Sequence, residues 1–225
     1  MNQSPPYLLA IDTVGQWCGV ALLNLTTGSI EHTSVLDQPN MHDAMLADMI
    51  QQAILDTRTT TQNIKAIAVS EGPGSFTGVR IGMALAKGWC ADRSTTLLSV
   101  PTFDAMIHSF IKRYAQHSQS KISIIMKSHG DSWFVQTVDI GSAHTSDISL
   151  VSQHELPAFV EQSNIIIGDF PQDSTKQQYP EFTHSHPTYI AELGYHMFLN
   201  GQAIDPAMAD SRYHVAFIPT MKENS

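Results

Sequence analysis

A glycine-rich segment from Ser70 to Gly82 contains the residue types best suited to chemistry in this sequence. It follows a short apolar run and leads into a helical pattern. Such a strand–loop–helix can bind an anion, because backbone N–H groups and the helix dipole converge at the helix start. The alternative is a tight structural turn between strand and helix, and the sequence favours this alternative.

The known phosphate-binding and nucleophile signatures are absent from this segment. A dinucleotide fingerprint needs glycine where Thr77 stands, and a Walker A loop needs Gly-Lys-Ser/Thr, whereas Lys87 is followed by Gly88. A nucleophile elbow needs glycine two residues to either side of Ser75, where Pro73 and Thr77 lie. We therefore predict a structural glycine loop, with the framework residues Gly72, Gly74, Ser75 and Thr77.

The histidines do not have the spacing of a helical metal site. None of the 11 histidines is followed by another four residues later, the spacing that places two ligands on one helix face. His154 begins a metalloprotease-like pattern, but Ala158 occupies the place of the second ligand. His184 and His186 could chelate a metal from a strand, but they lie in a predicted loop without neighbouring carboxylates. We predict no metal site.

The hydrophobic pattern places the glycine loop in a β-β-β-α-β-α-β first half. Apolar runs predict an antiparallel meander of three strands, Tyr7–Asp12, Trp17–Leu25 and Ser29–Leu36. Alternating helices and strands follow, at Met41–Thr57, Lys65–Ser70, Phe76–Ala91 and Thr95–Val100. Strand–helix–strand crossovers predict parallel pairing in this part.

The second half has weaker periodicity. A helix is predicted over Thr102–Ala115 with Thr102 as its N-cap. Three strands are expected next, at Ile122–Met126, Trp133–Ile140 and Ile148–Val151. The remaining elements are a short helix, a strand, a loop and a last helix, at Leu156–Glu161, Asn164–Ile167, Phe170–Pro187 and Thr188–Asn200.

Two helices of the first half carry residues suited to close contact with another backbone. Gly78, Gly82 and Ala86 recur every four residues and leave one helix face without large side chains. Glycine inside a helix costs about 1 kcal/mol relative to alanine, so a close neighbour is expected. The spacing leaves open whether this neighbour is the chain's own sheet or a partner helix. Methionines on the preceding helix favour a partner slightly, at Met41, Met45 and Met49.

The partner interpretation leads to a specific expectation. Gly82→Leu should abolish pairing with the partner and leave the fold intact.

The first strand and the glycine segment together resemble the TsaB (YeaZ) family. The matching residues are Leu8-Leu9-Ala10-Ile11-Asp12-Thr13, Gly72-Pro73-Gly74-Ser75-Phe76-Thr77-Gly78-Val79-Arg80-Ile81-Gly82 and Ala86-Lys87-Gly88. The resemblance is strong in the first half of the chain and weak beyond it. It implies an α/β, two-lobed fold of the actin/Hsp70/sugar-kinase type, each lobe ribonuclease-H-like with a mixed sheet. We expect lobes at 1–101 and 102–225, with the last helix and tail packing back on the first.

The resemblance also implies a function. Members of the family pair with TsaD, the catalytic subunit that attaches threonylcarbamoyl to the adenosine beside the anticodon of tRNA, and the ATPase TsaE joins them. They activate TsaD without performing the transfer, so we expect a pseudoenzyme with no catalytic residue and no cofactor. Contact in the family runs through the two helices of the first lobe, which gives the expected interface Met41, Met45, Met49, Gly78, Arg80, Gly82 and Ala86.

Asp12 ends the first strand, where sugar kinases and chaperones of this fold hold a carboxylate near metal and phosphate. The glycine-rich turn that should follow is reduced to Thr13-Val14-Gly15, so we expect a vestigial or structural carboxylate. The alternative function is a small-molecule kinase or ATPase that uses Asp12 and the Gly72–Gly78 loop. A metallopeptidase is a third, weaker alternative.

The composition narrows the possible partners. The formal net charge is −9, with 21 acidic and 12 basic residues, so direct nucleic-acid binding is not expected. Cys18 and Cys90 lie far apart in apolar surroundings and predict buried thiols, not a disulfide framework. Neither a signal peptide nor a membrane-length apolar run is present, and we expect a cytoplasmic protein that forms a homodimer when its partner is missing.

Overall fold

The first sheet is the frame on which the candidate docking helices lie. The computed structural model describes residues 5–15, 17–37, 42–92, 94–170 and 176–209. The sheet is formed by five strands, β1 (Tyr7–Asp12), β2 (Cys18–Asn24), β3 (Ile30–Leu36), β4 (Ile64–Ser70) and β5 (Thr96–Val100). Their order is β3-β2-β1-β4-β5, with β1 antiparallel to β2 and parallel to β4. The predicted meander and the parallel crossovers are confirmed.

The described ranges contain five α-helices, α1 (His42–Asp56), α2 (Phe76–Trp89), α3 (Thr102–Arg113), α4 (Leu156–Glu161) and α5 (Pro187–Leu199). Helices α1 and α2 pack on one face of the first sheet, and α5 packs on the other. In β1, Leu9 and Ile11 belong to the apolar cluster that includes α1 and α2. Leu8 and Ala10 belong to the cluster that includes α5. Every residue of β1 is therefore buried, as expected for a central strand between two helical layers.

The second sheet is also mixed. It is formed by β6 (Lys121–Lys127), β7 (Ser132–Asp139), β8 (His144–Thr145), β9 (Ser149–Ser152), β10 (Ile165–Gly168) and β11 (Gln177–Gln178). Strand β6 pairs antiparallel with β7 and parallel with β10. The predicted α/β class with two mixed sheets is confirmed.

A single apolar cluster joins the two sheets. It contains Leu8 and Ala68 of the first sheet, Phe103 of α3, Ile190 of α5 and Ile124 of the second sheet. Helix α5 comes late in the sequence, but it packs on β1, β2, β4 and β5 as well as on α3. The backbones approach closely, because a Cβ at Gly194 would lie 2.5 Å from the Cβ of Ala68.

Several predictions for the second half need correction. Pro101, not Thr102, is the N-cap of α3; Thr102 is its first residue, and its buried Oγ1 has no hydrogen-bond partner. The predicted loop Phe170–Pro187 contains β11 and a short 3₁₀ helix, Pro180–Phe182. Strand β8 was not predicted, because a two-residue strand has no detectable alternation.

No helix of the described ranges combines the length and the apolar character that crossing a lipid bilayer requires.

Candidate docking helices and the buried turn beneath them

The glycine loop between β4 and α2 is held by hydrogen bonds within the chain. The N–H of Ser75 donates to the carbonyl of Val14 at 2.7 Å, and the N–H of Thr102 donates to the carbonyl of Gly72 at 2.9 Å. Ser75 is the N-cap of α2, and its Oγ accepts from the N–H of Gly78 at 3.2 Å. The donors of Ser75 and Gly78, which an anion would use, are thus already bound to protein atoms.

The close neighbour of the small-residue stripe on α2 is the chain itself. A Cβ at Gly78 would lie 1.9 Å from the carbonyl oxygen of Thr13, and a Cβ at Gly82 would lie 2.5 Å from Thr13 Oγ1. Ala86 is fully buried in the same apolar cluster as Ile11. The side chain of Thr13 completes the contact by donating from Oγ1 to the carbonyl of Gly78 at 2.7 Å.

This packing corrects the assignment of Gly78, Gly82 and Ala86 to the partner interface. All three face the first sheet and the turn after β1, and they present no surface to another molecule. The expectation that Gly82→Leu leaves the fold intact is therefore withdrawn, because a leucine side chain there would clash with Thr13 and Val69. Such a variant is expected to destabilise the chain.

Asp12 is buried beneath the same turn. Its side chain is 3% exposed. Oδ2 accepts a hydrogen bond from Ser185 Oγ at 2.6 Å, and Oδ1 accepts from the N–H of Val14 at 3.4 Å. Burial raises the pKa of Asp12, although the hydrogen bonds from Ser185, Ser70 and Val14 act in the opposite direction. A carboxylate enclosed in this way leaves little room for a phosphate or a metal ion.

The segment His184 to His186 contacts three different elements. His184 Nδ1 lies 3.0 Å from Oδ1 of Asp169, so the prediction that no carboxylate neighbours this segment is wrong. The ring of His184 also lies 4.4 Å from the ring of Trp17, measured between centroids. His186 is the N-cap of α5 and accepts from the N–H of Thr188 at 3.3 Å.

These contacts do not form a metal site. Among the described residues there is no group of three or more histidine, cysteine, aspartate or glutamate side chains that could hold an ion.

The outer side of α1 and α2 carries partly exposed apolar side chains and an exposed arginine. We call it the docking face and define it by Met45, Met49, Leu55 and Arg80. Met45 and Met49 are half-buried, and Met49 packs against the core beneath α1 and α2. Arg80 is exposed, with its guanidinium 3.6 Å from the centroid of the Phe76 ring. Met41 lies outside the described residues.

Leu55 is the residue of this surface that sequence reasoning missed. It is 61% exposed, on a helix whose residues Leu46, Ile50 and Ala53 are buried. A signal was present in the sequence, because Leu55 lies off the apolar stripe that contains Leu46, Ile50 and Ala53.

The comparisons with known proteins agree with this architecture. A family model described as TsaD, tRNA N6-adenosine threonylcarbamoyltransferase, matches residues 38–121, which include α1, the glycine loop and α2. The tRNA threonylcarbamoyladenosine biosynthesis protein TsaB of Escherichia coli (strain K12) is 36% identical over 99 residues, 44% of this chain and 42% of that protein. The protein of the same name from Haemophilus influenzae is 28% identical over 131 residues, 58% of this chain and 53% of that protein. The first half of the chain is thus similar to proteins of the TsaB (YeaZ) family.

A solved structure shares the fold of this chain over nearly its whole length. YeaZ from Pseudomonas aeruginosa matches with a TM-score of 0.72, covering 90% of this chain and 97% of that one at 18% identity. The matched segments span only about half of the curated TsaB relatives, 42% and 53% of their lengths. The comparison with the solved structure therefore establishes the fold.

Proposed function

We propose that this chain is a non-catalytic partner subunit that binds and activates a TsaD-type threonylcarbamoyl transferase in the modification of an anticodon-loop adenosine of tRNA. The observation that supports this best is the docking face, which combines the exposed Leu55, the half-buried Met45 and Met49 and the cation of Arg80. Methionine and leucine adapt to a partner's surface, and an arginine stacked on an aromatic ring is suited to an interface.

The absence of a catalytic role is supported by the geometry of the buried turn. In the kinase or ATPase alternative, Asp12 would have to reach a metal or a phosphate, but its Oδ2 is held by Ser185. The glycine loop would have to offer free N–H groups, but Ser75 and Gly78 donate to protein atoms. No observation favours the alternative, so a nucleotide titration of the isolated chain is expected to show no binding.

The charge of the chain supports an indirect contact with RNA. A net charge of −9 repels a phosphate backbone, so the tRNA is expected to be held by the catalytic subunit. A TsaE-type ATPase would join through the complex. Without its partner the chain is expected to form a homodimer through the docking face, because exposed apolar surface tends to be covered.

Co-purification with the TsaD-type subunit of the same organism, followed by a threonylcarbamoyl-transfer assay, tests the proposal. Leu55→Asp is expected to lower affinity for the catalytic subunit at least about tenfold, because it places a charge in an apolar contact. Leu199→Asp is the matched control, since Leu199 is 63% exposed on α5, away from the docking face.

Two results would count against the proposal. Equal binding by the wild type and the Leu55 variant would show that the docking face does not contact the catalytic subunit. Transfer activity that is independent of this chain would contradict the activating role.

A further inference from the structure

The segment from His184 to Ser185 lies between the two sheets and contacts both. On the side of the first sheet, Ser185 Oγ donates to Asp12 at the end of β1, at 2.6 Å, and both side chains are buried. His184 lies against Trp17, the residue before β2. On the side of the second sheet, His184 pairs with Asp169, the residue after β10. Two adjacent residues thus tie the turn between β1 and β2 to the second sheet.

The same turn supports the first residues of α2. The carbonyl of Val14 accepts the N–H of Ser75, the N-cap of α2, at 2.7 Å. Thr13 Oγ1 donates to the carbonyl of Gly78, and Gly78 has no space for a Cβ against the carbonyl of Thr13. Any displacement of the turn must therefore move the N-terminal turn of α2 as well.

We propose that His184 and Ser185 form a clasp that holds the turn after β1 against the second sheet and thereby fixes the N-terminal turn of α2. In this role both are positioning residues: they lie behind the helix that carries Arg80 and do not belong to the docking face. The inference about α2 is independent of any partner. The further expectation that the clasp affects binding to a TsaD-type subunit rests on the proposed function.

The strength of the clasp comes from the burial of its central hydrogen bond. Removal of Ser185 Oγ leaves the buried Oδ2 of Asp12 without its donor, which costs more than the loss of an exposed hydrogen bond. The contacts of His184 are partly exposed and contribute less, since its side chain is 36% and that of Asp169 is 27% accessible. We therefore rank Ser185 above His184 in the clasp.

Amide hydrogen exchange of the isolated chain tests the clasp. Ser185→Ala is expected to raise exchange at Gly78 and Val79, whose amides are bonded in the first turn of α2, by about tenfold. Ser123→Ala is the matched control, because it also removes a buried hydroxyl, bonded to Ser163 at 2.7 Å in the second sheet. That variant should change exchange in α2 by less than about twofold while losing similar stability.

Two further variants keep the test decisive. His184→Ala acts at a half-exposed site and is expected to retain the fold, with a smaller increase in exchange at the same amides. His154→Ala, at an exposed position away from the clasp, is its control. Unchanged exchange at Gly78 in both clasp variants, or an equal increase throughout the chain, would overturn the proposal.

The docking consequence is measured separately. If the clasp holds α2 and the proposed function is right, Ser185→Ala weakens binding to the TsaD-type subunit and Ser123→Ala does not. Failure of the wild-type chain to bind that subunit contradicts the proposed function and leaves the exchange result standing. Normal binding by Ser185→Ala together with raised exchange in α2 would overturn the positioning role in docking.

Discussion

At the scale of single residues, Asp12 shows how a carboxyl group at the end of a strand is held inside the fold. Its carboxyl group is enclosed by Ser185, Val14 and Ser70, and burial raises its pKa. The folded chain thus keeps a proton at Asp12 over a pH range in which the unfolded chain has released it. The stabilisation that this bound proton contributes is fully present below the ordinary aspartate pKa. It is lost as the pH rises through the raised pKa of the folded chain.

Asp12→Asn is therefore expected to increase the free energy of unfolding at pH 7, on the order of 1 kcal/mol, because the amide carries no charge to bury. The difference from wild type should vanish near pH 4 and below, where the unfolded aspartate is also protonated. Chemical denaturation at a series of pH values measures both. A variant that is less stable than wild type at pH 7 and equal to it at pH 4 would show that the ionised form stabilises the fold.

At the scale of elements, α2 offers two glycines with opposite surroundings. Gly78→Ala is expected to lower the free energy of unfolding by about 3 kcal/mol, because the new Cβ meets the carbonyl of Thr13. Gly88→Ala is expected to raise it by up to about 1 kcal/mol, since nothing lies within 4 Å of a Cβ there and alanine favours the helix. Thermal unfolding of the two variants compares them directly. Equal effects would contradict the packing described for α2.

The same helix shows where sequence reasoning reaches its limit. Apolar runs and glycine signals located β1, β4 and α2 because both faces of the sheet are buried, which leaves a strong local pattern. The four-residue spacing of Gly78 and Gly82 correctly indicated a close backbone, but spacing is the same whether that backbone is internal or external. The bond between Asp12 and Ser185 joins positions 173 residues apart, and neither residue type is distinctive, so no local pattern could reveal it.

At the scale of the whole molecule, the expected lobes 1–101 and 102–225 share one apolar core, because residues of both contribute to it. The first sheet depends on α5 for one of its two covered faces, and α5 comes from the second half. A fragment of residues 1–101 is therefore expected to remain unfolded or to aggregate, because Leu8 and Ala10 would face water.

Circular dichroism and size-exclusion chromatography of that fragment test this expectation. Co-expression with residues 102–225 is expected to restore a soluble complex with the spectrum of the intact chain. A fragment 1–101 that unfolds cooperatively on its own would contradict the shared core.

The position of α5 also has a consequence for the order of events during synthesis. All strands of the first sheet have been translated once Val100 is made, but the helix that covers their second face begins only at Pro187. At bacterial or eukaryotic elongation rates, the intervening segment takes about 4–17 seconds to translate. During that interval the apolar residues of the first sheet lack the helix that covers them, and exposed apolar segments of this kind are what holding chaperones bind. Slow codons between these two points would prolong that exposure and leave the finished protein unchanged.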